Sequence, residues 1–103
     1  MEKTPDNLPE VRVRIDAIDT EIIDLLARRV ECALEIGEIK KTLNKPFFDP
    51  ARERLIFERL LKQNHEIGSK LTDKNISVIY REIISACRNA EHPLRVAFLG
   101  PAG

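Results

Sequence analysis

The chain has 103 residues, 43% of them hydrophobic and only 5% aromatic, which sets it out as one small domain with a modest aliphatic core and no second full domain. Seventeen basic residues balance seventeen acidic ones, so bulk charge calls for neither nucleic acid nor an anionic membrane surface, and any charged ligand must be met locally. The opening MEKTPDNLPE lacks the apolar core of a signal peptide, and no segment nears the roughly 18 apolar residues of a membrane span, so a cytoplasmic protein is expected.

The first predicted helix opens at NLPE. Asn7 is its expected N-cap, Pro9 falls inside the first turn, and Glu10, three residues after the cap, completes a capping-box pattern. Nothing stops this helix before Pro46, which disfavours a helical Lys45, so it spans about residues 8 to 43 with Gly37 as its weak point. Along it Val11, Ile15, Ile18, Ile22, Leu25, Arg29, Cys32, Ile36, Ile39 and Leu43 recur at alternating spacings of four and three, the pattern of a coiled-coil seam. About 36 helical residues span about 54 Å, whereas a compact domain of about 100 residues has a radius of gyration of about 13 Å. The seam therefore calls for a second chain. The expected fold is all-α, three helices with a very long first one, in an intertwined two-fold dimer whose long helices run antiparallel.

The second predicted helix is announced by Asp49-Pro50, an N-cap followed by proline at the first helical position, and runs towards Gly68 with Ile56, Phe57, Leu60 and Leu61 on its inner face. Thr72 can cap a third, whose stripe reads Ile76, Ile79 or Tyr80, Ile83, Cys87 and Ala90 or Glu91, ending before Pro93. Cys32 and Cys87 lack CxxC spacing and sit at apolar-stripe positions, which favours buried free thiols over a disulfide or metal pair. His65 and His92 have no ligands at metal-site spacing and receive no chemical role. The helical domain is expected over residues 1–92. Residues 93–103, PLRVAFLGPAG, change character: Arg95 to Leu99 reads as one short strand entering a glycine-proline turn, as though the chain were cut just inside another domain.

Arg29 stands where the seam should carry a hydrophobe. Eleven residues separate it from Lys40, about three turns, so the two side chains point the same way about 16 Å apart and can line one pocket. Arg12 shares the heptad register of Lys40, but a separation of 28 residues puts it about 42 Å away along one helix. An antiparallel partner can bring such an arginine back, because its N-terminal half runs beside the C-terminal half of this helix. The structural alternative for Arg29 is a fork to a core glutamate that fixes helix register. Glu53 adjoins the apolar face of the second helix, and a solvated first-turn acid is its alternative. Capping alone accounts for Asp49, and a surface ion pair alone accounts for Arg52.

Taken together, Arg12, Arg29, Lys40, Asp49-x-x-Arg52-Glu53 and a third helix ending in Cys87-x-x-x-Glu91 form a set that resembles the all-helical chorismate mutases, with matching spacing from Arg12 to Glu53. The terminal RVAFLGPAG looks like the opening strand and turn of a prephenate dehydratase domain, so the whole resembles the mutase portion of the bifunctional chorismate mutase/prephenate dehydratases. The resemblance implies the rearrangement of chorismate to prephenate in phenylalanine and tyrosine biosynthesis, without a metal or cofactor. It assigns Arg29 and the partner's Arg12 to the two carboxylates of chorismate, which planar guanidinium groups clamp well. It gives Lys40 the ether oxygen that leaves carbon, gives Glu53 the ring hydroxyl, places Asp49 near that hydroxyl mainly through its backbone, and makes Arg52 a brace for the charged network.

The departures lie on the third helix, where the enteric type carries Ser and Gln at the positions of Cys87 and Glu91. A thiol weakens the bond to substrate assigned at Cys87. Glu91 can replace the amide donor only as a neutral acid, the alternative being a solvent-facing carboxylate paired with Arg88 or a lysine. Catalysis is thus expected from Lys40, Glu53 and Glu91, with substrate binding by these and Arg12, Arg29, Asp49, Arg52 and Cys87. Two other functions share the architecture: an isochorismate pyruvate lyase with an overlapping cationic pocket, and a catalytically silent dimerisation or regulatory module.

Overall fold

The computed structural model describes residues 7–46 and 48–91, and these form three helices, α1 (Asn7–Leu43), α2 (Pro50–Ile67) and α3 (Asp73–Glu91). The architecture is the all-α one expected, with no strand among the described residues. The strand at 95–99, His92 and the boundary at 92/93 lie outside them.

Local chemistry fixes each helix end. Asn7 is already helical rather than a cap, and Pro9 is accommodated near this end of α1, where a missing N–H costs least. At the other end Asn44 adopts a left-handed conformation, φ 59°. The N–H of Asn44 donates to the Lys41 carbonyl at 3.3 Å and that of Lys45 to the Lys40 carbonyl at 2.8 Å. This is a Schellman closure built on asparagine, with Pro46 immediately beyond.

Asp49 caps α2 as expected: its Oδ1 accepts the Arg52 N–H at 3.1 Å, and Gly68 ends the helix at φ 65° with its N–H on the His65 carbonyl at 3.1 Å. In the turn that follows, buried Asn64 donates from Nδ2 to the Leu71 carbonyl at 2.9 Å and accepts from the Ser69 hydroxyl. Thr72 and Asn75 then exchange bonds, Asn75 N–H to Thr72 Oγ1 and Thr72 N–H to Asn75 Oδ1, both 3.0 Å. Each side chain satisfies the other's orphan backbone donor. His65 and Asp73 meet at 2.6 Å on the surface of the same turn.

α3 is the central element, packing on α1 along one side and on α2 along the other. The core of the single chain is thin: among the described residues the buried hydrophobic ones are Ala33, Ile56, Ile76, Ile84 and Cys87. On α3 the inner face includes Tyr80 rather than Ile79, which is 44% exposed, and Ile84 is more deeply buried than Ile83. Both cysteines are free thiols, but only Cys87 is buried; Cys32, expected inside, is exposed in the single chain, because α3 covers the neighbouring face of α1 through Ala33 and Gly37. The seam itself stands open. Ile15, Ile18, Ile22, Leu25, Ile36, Ile39 and Leu43 are 44–57% exposed, and the radius of gyration is 18.3 Å against about 13 Å for a compact chain of this size.

Candidate active site

The three helices meet in a cleft of about 500 Å³ lined by Arg29, Cys32, Ala33, Ile36 and Lys40 of α1, Asp49 at the cap of α2, Arg52, Glu53, Ile56 and Arg59 of α2, and Ile84, Cys87, Arg88 and Glu91 of α3. Five cationic and three carboxylate side chains face it, a net formal charge of +2. Around an apolar floor of Ile36, Ile56 and Ile84, this arrangement suits a small dianion, since low-dielectric walls strengthen each charged contact.

Of the eight residues expected at a site, seven converge here: Arg29, Lys40, Asp49, Arg52, Glu53, Cys87 and Glu91. Arg12 does not. It lies exposed on the N-terminal part of α1, and because α1 is one uninterrupted helix from Asn7 to Leu43 it stands about 42 Å along the axis from Lys40.

The alternatives can now be weighed against contacts. Arg29 has no glutamate fork among the described residues; its Nη1 donates to the Cys87 sulfur at 3.0 Å, a weak acceptor that leaves the cation's charge uncompensated. Glu53 is not a solvated acid, because its carboxylate accepts from Arg88 Nη2 and its side chain is only 25% exposed. Glu91 is not solvent-facing either. Its side chain is 11% exposed and its Oε2 stands 3.1 Å from Lys40 Nζ. That oxygen is buried and accepts no aligned hydrogen bond, so the pair is held by charge rather than by direction. Gly37 makes this corner possible. A Cβ added there would lie 2.6 Å from the Glu91 carbonyl oxygen and 3.2 Å from its Cγ.

Two charged residues of the cleft escape the sequence reading, Arg59 and Arg88. Arg88 had a signal: Ile84, Arg88 and Glu91 stand at i, i+4 and i+7, one helical face. Centring the stripe on Ile83 instead turns that face by about 100°. Arg88 also lays its guanidinium over the Phe48 ring, with Cζ 5.0 Å from the centroid. Among the described residues no group of three or more His, Cys, Asp or Glu is placed to hold a metal ion, and no helix is long and apolar enough to cross a membrane.

Comparison with known proteins gives concordant matches. The family model for chorismate mutase type II matches residues 11–92. The chain is 47% identical over 97 residues to the bifunctional chorismate mutase/prephenate dehydratase of Aquifex aeolicus, an alignment covering 93% of this chain and 27% of the relative. It is 37% identical over 103 residues to the bifunctional enzyme of Stutzerimonas stutzeri, covering 95% and 27% respectively. To the chorismate mutase of Methanocaldococcus jannaschii it is 36% identical over 81 residues, 77% of each chain. The chain thus spans about a quarter of the length of the bifunctional relatives, and most of the length of the archaeal mutase.

Proposed function

The chain belongs to the chorismate mutase type II family, an isomerase family, and from that premise we propose that the cleft rearranges chorismate to prephenate, the product from which phenylalanine and tyrosine are made. The observation that carries the reading is the convergence of Arg29, Lys40, Glu53, Cys87 and Glu91, from three helices, on one cleft of net charge +2. Chorismate is a dianion, and its rearrangement needs no group from outside the molecule. The protein's work is to hold the enolpyruvyl side chain over the ring and to favour the negative charge that develops on the ether oxygen.

Arg29, which meets no carboxylate among the described residues, takes one substrate carboxylate. The second is taken by Arg12 of a partner subunit, because the axial distance excludes the chain's own. The exposed seam supports a dimer with antiparallel α1 helices: its apolar residues need cover that α2 and α3 do not supply. Lys40 donates to the ether oxygen, and in other enzymes removal of one such preorganised donor costs about 2.7–4 kcal/mol. Glu91 sits beside it and can donate to the ether oxygen only as a neutral acid, since an ionised carboxylate can neither donate nor favour charge building there. Glu53 accepts from the ring hydroxyl, Asp49 holds the first turn of α2 in place, Arg52 braces the charged network, and Cys87 fills the floor against Arg29. Residues 1–92 make up this unit. Residues 93–103, outside the described part, are the lead into a dehydratase domain on the strength of RVAFLGPAG, and the expected compartment is the cytoplasm.

The test is product analysis. Purified chain with chorismate should yield prephenate, while pyruvate with salicylate from isochorismate identifies a lyase, and no turnover of either identifies a silent module. Prephenate production at a rate lowered about a hundred- to a thousandfold by Lys40→Ala is the outcome expected.

A further inference from the structure

The chemistry proposed above gives Arg88 no task, yet this residue is firmly anchored in the cleft. It projects from α3, its Nη2 donates to Glu53 Oε2 across the interface with α2, and its guanidinium lies over the ring of Phe48 in the connection between α1 and α2. It is therefore held by its own helix, by an aromatic face and by a carboxylate.

Glu53 is what this anchoring serves. The residue stands in the first turn of α2, on a side chain with three rotatable bonds, in a cleft where Arg52 and Arg59 of its own helix also carry positive charge. Left alone, such a carboxylate distributes itself over several rotamers and several cations. A ligand hydroxyl, by contrast, needs one oxygen in one place. Arg88 engages Oε2, and a carboxylate has acceptor positions on both oxygens, so Oε1 is left as the acceptor for a ligand. The guanidinium lies over Phe48 and its donors are fixed in one plane, so it meets Oε2 from one direction, as the freely rotating donors of an ammonium would not.

We propose that Arg88 is a positioning residue that locks Glu53 with one oxygen occupied and the other presented to the ring hydroxyl of the substrate, and that Phe48 holds Arg88 in the plane required. The proposal rests on the chorismate mutase reading of the cleft, and it concerns a residue that acts through Glu53 rather than on the reacting atoms.

A double-mutant cycle on kcat/KM for chorismate tests it, with Arg88→Gln, Glu53→Gln and the double variant, each checked for folding by thermal melting. Misplacement of a binding group by about 1 Å costs up to about a hundredfold in rate, so Arg88→Gln should lower kcat/KM between about tenfold and a hundredfold. In the Glu53→Gln background the same change should cost less than about twofold, because no carboxylate remains to be placed. Arg88→Lys, which keeps the charge but neither the planar fork nor the stack, should recover only part of the loss. Phe48→Leu provides a second route if Arg88→Gln fails to fold: it leaves the ion pair chemically possible, and its smaller loss should likewise vanish once Glu53 is Gln. Losses that simply multiply across the cycle overturn the proposal while leaving the mutase reading intact. A wild-type chain that folds and does not convert chorismate overturns the mutase reading and this proposal with it.

Discussion

Replacing Gly37 by alanine should separate activity from stability in this protein. An added Cβ would sit 2.6 Å from the Glu91 carbonyl oxygen, whereas ordinary contact begins at 3.4 Å, so the last turn of α3 must retreat from α1 by roughly 0.8 Å. The nearest obstacle, the Glu91 carbonyl oxygen, is backbone and cannot swing aside as a side-chain tip can. Two terms then oppose each other in stability. Glycine to alanine within a helix gains about 0.8–1 kcal/mol of propensity, and overpacking at a close contact costs about 1–3 kcal/mol, so the net destabilisation falls between about zero and 2 kcal/mol. Activity has no such compensation. Glu91 and Lys40 meet at 3.1 Å across this same contact, and a shift of about 1 Å in a positioned group costs up to about a hundredfold in rate. Thermal melts and steady-state kinetics on the same preparation should therefore show a melting temperature lowered by at most about 16 °C and, at a temperature where both proteins are folded, a kcat/KM lowered about ten- to a hundredfold. A variant that melts higher than wild type and turns over normally would refute the tight approach of α3 to α1.

Four further outcomes are expected. Inactive Arg12→Ala and Arg29→Ala subunits, mixed and exchanged, should regain about half of wild-type activity per heterodimer, because both lesions fall in one site; no recovery after verified exchange rules out Arg12 acting in trans. Glu91→Gln should retain activity, because an amide can donate to the ether oxygen, whereas Glu91→Ala should lower kcat/KM; a Glu91→Ala variant with wild-type turnover removes Glu91 from the catalytic groups. Leu25→Glu, in the open seam, should abolish dimers in sedimentation and activity with them, and an active monomer would contradict the shared site. Thr72→Ala should lower stability by about 1 kcal/mol through loss of the cap on α3, read as a drop in melting temperature with kcat unchanged at a permissive temperature.

Much of this molecule was legible in its sequence because the information was one-dimensional. Asp49-Pro50 and Thr72 announce helix starts through chemistry confined to three or four residues, and both caps form as expected. The seam of α1 and the spacing from Arg29 to Lys40 are periodic signals that a straight helix preserves. What was not legible depends on contacts between helices. Nothing local distinguishes Ile83 from Ile84 as the inward residue; the choice belongs to the direction from which α1 and α2 approach α3, and with it went Arg88. Gly37 reads as a weakness when only propensity is weighed, and becomes a requirement when the Glu91 carbonyl is placed beside it. Asn44 ends α1 in a conformation more usual for glycine, so the proline beyond it was the visible stop signal, although the hydrogen bonds are made on the asparagine turn.

The open seam explains why an arginine is tolerated in it. A cation at a seam position costs stability when a partner helix buries it without a counter-charge, and among the described residues Arg29 meets the Cys87 sulfur and no carboxylate. In the proposed dimer that cost is offset only when a ligand carboxylate arrives, so the most compact, best-paired state of the assembly is the loaded one. In that dimer the exposed seam residues Ile22, Leu25, Ile36 and Ile39 would hold the subunits together in the interval, and they alternate along the same stripe as Arg29. Association and site formation are then one event rather than two. By linkage, a dianion that binds only where Arg29 and the partner's Arg12 face each other must tighten the dimer by the same factor by which dimerisation tightens its own binding.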